Sequence, residues 1–429
     1  MEMALLFVVF FLLMLAGVPI GTSLGLAGIA AVFWFDLGIG MVGINFSSSI
    51  ASFPLLAVPF FILAGVLLDR AGLAATIARF FELLLGRATG GLAMVAVFTC
   101  MFWGALSGSG PATTAAVGLI LLTPMIRQGY GKEFSAALIA NSSDLSIIIP
   151  PSIAFIIYGN ITSVSVSALF AAGIVPGILI GIAVALAAWM VSKKRGYRGS
   201  EKRGSVREIL SAAKAAFWAF MSPVIILGGI YSGVFTPTEA AVMSVFYSMF
   251  VAVFVYRSVT FSSMIEIFSE AAVTSSVIMF IVAFAGIFSW AASVTGIIDR
   301  VAAWIISVSP GPVAMIILVD FMLLGLGMFI DAISISYLVM PILIPVLQSF
   351  GIDPLWYGVI FITALAIGQA TPPVGVNLFT AANLIKGDID EVAREVIPFV
   401  MAEIAVLVIL SLFPALSLFI PKLVGLYGG

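Results

Sequence analysis

Two stretches of this chain repeat one another at an offset of 221 residues, and each is followed by an apolar segment interrupted by Pro-Pro. Gly90-Gly91-Leu92-Ala93-Met94 returns as Gly311-Pro312-Val313-Ala314-Met315, and Met101, Gly104 and Pro124 return as Met322, Gly325 and Pro345. The same offset pairs Ala64-Gly65 with Ala285-Gly286 and Arg79 with Arg300. One residue of slippage later, Pro150-Pro151 pairs with Pro372-Pro373. A duplication commits both halves to one local architecture. In a membrane chain, helices interrupted at corresponding points of two halves point to the binding site of a secondary transporter.

The chain is a membrane chain by composition. Hydrophobic residues make up 62%, charged residues 9%, and the mean hydropathy is +1.27, against about 25% charged residues in an ordinary soluble domain. The windows 3–35, 88–126, 145–192 and 271–298 are apolar over more than the roughly 20 residues that a helix needs to cross the hydrocarbon core. The runs are continuous rather than alternating, so helices, not a barrel, must satisfy the backbone. The expected fold is an all-α polytopic bundle.

Several chemistries are excluded. The chain has no histidine, which removes imidazole relays, His-metal sites and Ser-His or Cys-His nucleophiles. Cys100 is the only cysteine, so no intrachain disulfide can form. There is no G-x-x-x-x-G-K-[ST] loop to hydrolyse ATP, and no basic stripe for nucleic acid. The N-terminal Met-Glu-Met lacks a basic n-region and reads as the start of a retained anchor.

Lys193, Lys194, Arg195, Arg198, Lys202, Arg203, Arg207 and Lys214 place eight of the 18 basic residues in one loop, which the positive-inside rule makes cytoplasmic. Threading outward from it predicts spans at 53–69, 133–158, 168–192, 216–232, 236–256, 271–290, 355–382 and 396–420, leaving only Arg300 and Lys422 outside. Residues 4–35, with Gly17-Val18-Pro19 inside, are too long for one straight span and fit either one kinked crossing or two short ones. The segments 90–127 and 312–349 each read as two short arms joined by a polar or Gly-rich tip. At 1.5 Å per residue an arm of about 16 residues reaches only about 24 Å, so both are expected to be re-entrant hairpins. Five crossings separate the two copies, which turns the second upside down. Amphipathic segments at 73–86 and 294–307 are expected to lie in the interface plane. These features divide the chain into 1–89, with scaffold helices and a first arm helix; 90–192, the first half of a transport domain; 193–311, with the basic loop, scaffold and second arm helix; and 312–429, the second half of the transport domain. The hairpins are 90–127 and 312–349, and the broken helices 133–158 and 355–382.

The tip Ser107-Gly108-Ser109-Gly110 offers hydroxyls and carbonyls, as a hard cation such as Na⁺ requires, while helix N-termini offer N–H groups to anions. Each Pro-Pro break deletes two backbone donors and frees carbonyls a turn earlier, facing its own hairpin tip. Of the intramembrane carboxylates, Asp144 lies in the first break and Asp331 at the second tip. Asp144 is expected either to stay ionised beside a bound cation or cationic substrate group, or to bond backbone N–H groups freed by the break. Glu239 in Thr236-Pro237-Thr238-Glu239 fits a capping box better than a ligand site. Asp320 is assigned no role.

The runs Phe235-Thr236-Pro237-Thr238-Glu239-Ala240-Ala241, Gly327-Met328-Phe329-Ile330-Asp331, Ile149-Pro150-Pro151-Ser152 and Thr371-Pro372-Pro373-Val374-Gly375-Val376-Asn377-Leu378-Phe379 resemble the large membrane subunit of tripartite ATP-independent periplasmic (TRAP) transporters, over essentially the whole chain. The resemblance implies an elevator-type ion-transporter fold and a sodium-coupled importer of an organic acid in a bacterial inner membrane. It also implies a small four-helix membrane subunit and a periplasmic substrate-binding protein as partners. No cofactor is implied beyond Na⁺ as coupling ion. Carried onto this sequence, it places sodium at Ser107, Gly108, Ser109, Gly110, Asn141, Gly327, Asp331, Gln369, Ala370 and Thr371. It places substrate between the tips, at Ser109, Thr113, Asn141, Asp144, Ser152, Thr371, Val374 and Asn377. The chain departs from the family at Ser143-Asp144-Leu145-Ser146, where relatives commonly carry a Gly-Thr-Leu-Gly-like run.

A proton-coupled carrier using Asp144 or Asp331 is the alternative within transport. An ion channel could use the same tips, although an inverted repeat within one chain suits alternating access better. An intramembrane enzyme would need a Ser-Lys or carboxylate mechanism, and every lysine lies near an interface.

Overall fold

The computed structural model describes residues 5–199 and 204–427. Lys202 and Arg203 of the basic loop, and the start of the N-terminal run, lie outside them. The described residues form helices joined by short turns, with no strand among them. Among the described residues seven helices are long and apolar enough to cross a membrane, or eight when the bent pair in the first repeat counts as one span.

The duplication is visible element by element. In the first copy, Phe53–Arg70 and the amphipathic Leu73–Leu85 lead into a hairpin, Gly91–Ser107 and Gly110–Arg127. A broken helix follows, Lys132–Ser142 continuing through Leu145–Ile148 and then Ile153–Thr162, and the copy ends in Val166–Arg195. In the second copy the corresponding pieces are Phe261–Val294, Ile297–Val308, the hairpin Pro312–Gly327 and Ala332–Ser349, and the broken helix Pro354–Gln369 and Val376–Ile385, ending in Ile389–Leu412. Both Pro-Pro peptides are cis, and the bend at the first break is 43°.

The two broken helices run antiparallel. Gly387, after the end of the second, lies against the Lys132 side chain at the start of the first. Midway, Asn377 Nδ2 donates to Asp144 Oδ1 at 2.7 Å. At the far end Tyr158 Oη donates to the Pro354 carbonyl at 2.7 Å. One copy is therefore inverted with respect to the other, as the odd number of crossings requires.

Outside this core, the long helix Phe261–Val294 packs along Ile20–Trp34, where Gly21, Gly25 and Gly28 face Ile281, Phe284 and Ile287. A methyl on Gly25 would sit 1.9 Å from the Phe284 ring, so the small residues set how closely the helices approach. Arg70 and Glu270 add an ion pair of 2.7 Å between Phe53–Arg70 and the long helix.

One open alternative is decided and two expectations are corrected. Residues 4–35 form two short helices, Leu5–Leu15 and Ile20–Trp34, because Gly17 takes φ +84° and Pro19 follows. The single span at 396–420 is two helices, Ile389–Leu412 and Pro414–Leu423, since Pro414 cannot continue the first. The span at 271–290 is the centre of a 34-residue helix that continues through the polar stretch before it. The helix Gly40–Ile50 was not anticipated.

Thr236 and Glu239 form the expected capping box: Thr236 N donates to Glu239 Oε2 at 2.8 Å and Glu239 N to Thr236 Oγ1 at 3.3 Å. Asp320 accepts from Ser411 Oγ at 3.0 Å, tying the second hairpin to Ile389–Leu412.

Candidate functional site

Each hairpin tip packs on the break of its own repeat. In the first, Gly104 faces the Ser146 backbone so closely that a methyl there would lie 2.6 Å from the Ser146 Cα, and Gly108, at φ +62°, lies beside the Pro151 carbonyl. In the second, Gly327 and Gly368 meet backbone to backbone, and Gly375 N donates to the Met328 carbonyl at 2.9 Å. Glycine at these points lets the main chain, not a side chain, form the contact.

The two tips and two breaks converge on one cavity of about 220 Å³. Gly108, Ser109, Gly110 and Pro111 line it from the first tip, and Asp331, Ala332 and Ile333 from the second. Ile147, Ile153 and Ala154 line it from the first break, Gln369 and Val376 from the second, and Ile278 and Ile281 from the long helix. Gly110, Ile153, Ala332 and Val376 are the first residues of four helices. Four positive helix ends thus face one space. Three of them, preceded by Ser109, Ser152 and Gly375, have no side-chain cap, so their N–H groups remain available. The fourth is capped by Asp331: Oδ1 accepts from Ile333 N and Ser334 N, both at 3.0 Å, and Oδ2 from Ser334 Oγ at 2.6 Å.

The negative helix ends are paired elsewhere. The arm ending at Ser107 meets the segment ending at Ile148, and the arm ending at Gly327 meets the helix ending at Gln369. Each pairing brings backbone carbonyls of two helix C-termini together, an arrangement suited to a cation.

Of the residues singled out from the sequence, Gly108, Ser109, Gly110, Asp331 and Gln369 line the cavity. Ser107 sits behind the tip, its Oγ 2.6 Å from Thr113 Oγ1. Ser152 Oγ donates across the first break to the Ile147 carbonyl at 2.5 Å, and Thr371 Oγ1 donates to the Ile367 carbonyl at 2.6 Å, on the turn just before Pro372-Pro373. Ala370 is buried beside Gln369, and Val374 is 39% exposed. Asn141, Asp144 and Asn377 are fully buried and form a separate polar cluster with Glu403 of Ile389–Leu412, a residue that sequence reasoning passed over. Asp144 bonds the Asn377 amide and not the backbone N–H groups of its own kinked helix. Ile278 and Ile281 were also missed, because nothing in an apolar helix marks which residues face a cavity.

Residues 7–416 match the family model described as "Tripartite ATP-independent periplasmic transporter, DctM component". The chain belongs to this family. Among TRAP permeases it is 35% identical to the C4-dicarboxylate large permease protein DctM of Rhodobacter capsulatus, over 99% of this chain and 100% of that one. It is 36% identical to the sialic acid large permease protein SiaM of Vibrio cholerae, over 97% of each. It is 38% identical to the isethionate permease protein DctMQ of Oleidesulfovibrio alaskensis, over 96% of this chain and 65% of that longer protein. The fold is shared with the YdaH transporter of Alcanivorax borkumensis, at a TM-score of 0.65 and 15% identity over 89% of this chain and 87% of that one. This TRAP large permease is accordingly an all-α, multi-pass membrane protein that shares the fold of the YdaH transporter, and its role is transport and not catalysis.

Proposed function

We propose that this TRAP permease imports a small organic acid across a bacterial inner membrane, driven by Na⁺. The observation that carries the reading is the single cavity at which four helix N-termini converge. A carboxylate there is held by backbone N–H groups and helix dipoles, with no arginine needed. The cavity lies below the roughly 300 Å³ at which pockets for drug-sized ligands begin, so a compact acid of few carbons suits it best. The anionic cargoes in the relatives' names, a C4-dicarboxylate, sialic acid and isethionate, support the charge of the ligand.

Sodium has two candidate seats where helix C-termini meet. One lies between Ser107–Gly110 and the first break, the other between Gly327–Asp331 and Gln369, Ala370 and Thr371. Na⁺ bound there closes each tip on its break and completes the cavity wall, so ion and acid bind together. Residues 90–192 and 312–429 then move as one body against 1–89 and 193–311, carrying the cavity across the membrane as an elevator. A small four-helix membrane subunit would widen the scaffold, and a periplasmic binding protein would deliver the acid.

The test is uptake by the permease reconstituted with its membrane and periplasmic partners. An inward Na⁺ gradient should drive accumulation, and a pH gradient alone should not. Uptake that continues in Na⁺-free buffer and follows the pH gradient would refute the coupling.

A further inference from the structure

Two carboxyl groups lie buried together behind the cavity wall, where Asn377 packs against Gly110. Asp144 and Glu403 are both at 0% exposure and lie within hydrogen-bonding reach of each other. Each accepts one amide proton: Glu403 Oε2 from Asn141 Nδ2 at 2.7 Å, and Asp144 Oδ1 from Asn377 Nδ2 at 2.7 Å. Four oxygens remain without any partner, namely Asp144 Oδ2, Glu403 Oε1, Asn141 Oδ1 and Asn377 Oδ1. Reversing either amide would set its oxygen against a carboxylate, so the orphans stay acceptors. Among the described residues no lysine or arginine is buried. Cys100, on the first hairpin arm, contacts the neighbouring Ser143, its Sγ 3.8 Å from Ser143 Oγ.

Two carboxylates in contact and out of water cannot both remain bare. A proton shared between them would satisfy carboxylate oxygens but leave both amide oxygens orphaned. An oxygen-seeking cation held among these side chains supplies what all four lack, a partner that donates no proton. The donors are all oxygens, as a hard cation requires, and on the Na⁺-coupled reading proposed above, on which this inference rests, the ion is Na⁺. We propose that Asn141, Asp144, Asn377 and Glu403 form a further Na⁺ site, distinct from the two seats at the tips. It joins the first broken helix, the second broken helix and Ile389–Leu412, so its ion clamps the two inverted copies to each other.

Equilibrium binding of ²²Na⁺ to the purified protein counts the sites directly. Glu403→Gln should bind one Na⁺ fewer per chain than the unaltered protein, and Asp144→Asn likewise. An unchanged count in both would overturn the site, while a protein that bound no Na⁺ at all would refute the coupling reading as well. The unaltered protein offers a second readout that needs no variant. An infrared difference spectrum between Na⁺ and choline buffers should show buried carboxylate bands shifting as the ion binds. A protonated carboxyl band from this pair that persists in saturating Na⁺, and is lost in Glu403→Gln, would assign a proton in place of the metal and overturn the proposal.

Discussion

Gly327 and Gly368 touch main chain to main chain: a methyl on Gly368 would lie 2.7 Å from the Gly327 Cα, and one on Gly327 would lie 3.0 Å from the Gly368 Cα. The pair sets the distance between the C-terminal ends of the second hairpin's first arm and the second broken helix. Gly368→Ala forces these ends apart without adding charge. It should raise the Na⁺ concentration for half-maximal uptake tenfold or more, equivalent to about 1.4 kcal/mol. Gly325→Ala is the control, since a methyl there meets nothing within 4 Å. A Na⁺ titration in which the two variants behave alike would remove this seat from the ion's path.

Asp331 stands at the cavity edge, yet both its carboxyl oxygens are occupied in capping Ala332–Ser349. Asparagine caps about as well as aspartate, whereas alanine does not cap. Asp331→Asn should therefore unfold near the wild-type temperature, and Asp331→Ala should lose about 1 kcal/mol. Thermal unfolding in detergent reads the difference. A Na⁺ affinity lost in both variants to the same extent, with stability intact, would make Asp331 a ligand first and a cap second.

What the sequence disclosed follows from which residues carry their structural meaning alone. Pro150-Pro151 and Pro372-Pro373 mark breaks by themselves, and the 221-residue repeat marks the hairpins beside them, whereas glycine alone is ambiguous: Gly104, Gly327 and Gly368 pack on backbone while Gly325 meets nothing within 4 Å. The hairpins and broken helices could therefore be bounded to within a few residues. Glu403 was invisible for the opposite reason. It is the one carboxylate in the apolar part of its helix after Pro398, and its meaning comes from Asn141, 262 residues away in sequence. The extent of Phe261–Val294 was hidden by Ser262, Ser263, Glu266, Ser269 and Glu270, which mark the end of a hydrophobic span but do not end a helix.

Glu239 separates capping from ion chemistry. Its carboxylate closes a capping box with Thr236 in an exposed turn, remote from the cavity lining. Glu239→Gln preserves the box, so uptake and stability should match the unaltered protein. Glu239→Ala should lower the unfolding temperature and leave the half-saturating Na⁺ concentration unchanged. A Na⁺ dependence altered by Glu239→Gln would contradict a purely capping role.

The antiparallel broken helices fix a prediction about sidedness. Arg127 and Gln348 end the second arms of the two hairpins at the same repeat position, and both are exposed. If the copies are inverted in the bilayer as they are in the fold, these positions face opposite compartments. The basic loop after Val166–Arg195 places Arg127 in the cytoplasm. Cys100, the only native thiol, is buried, and Cys100→Ala removes it from the readout. On that background, Arg127→Cys should react with a membrane-impermeant maleimide only in inside-out vesicles, and Gln348→Cys only in right-side-out ones. Labelling of both from one face would mean that the hairpins enter from the same side, and the elevator, which needs a matching gate on each side of the cavity, would fail with it.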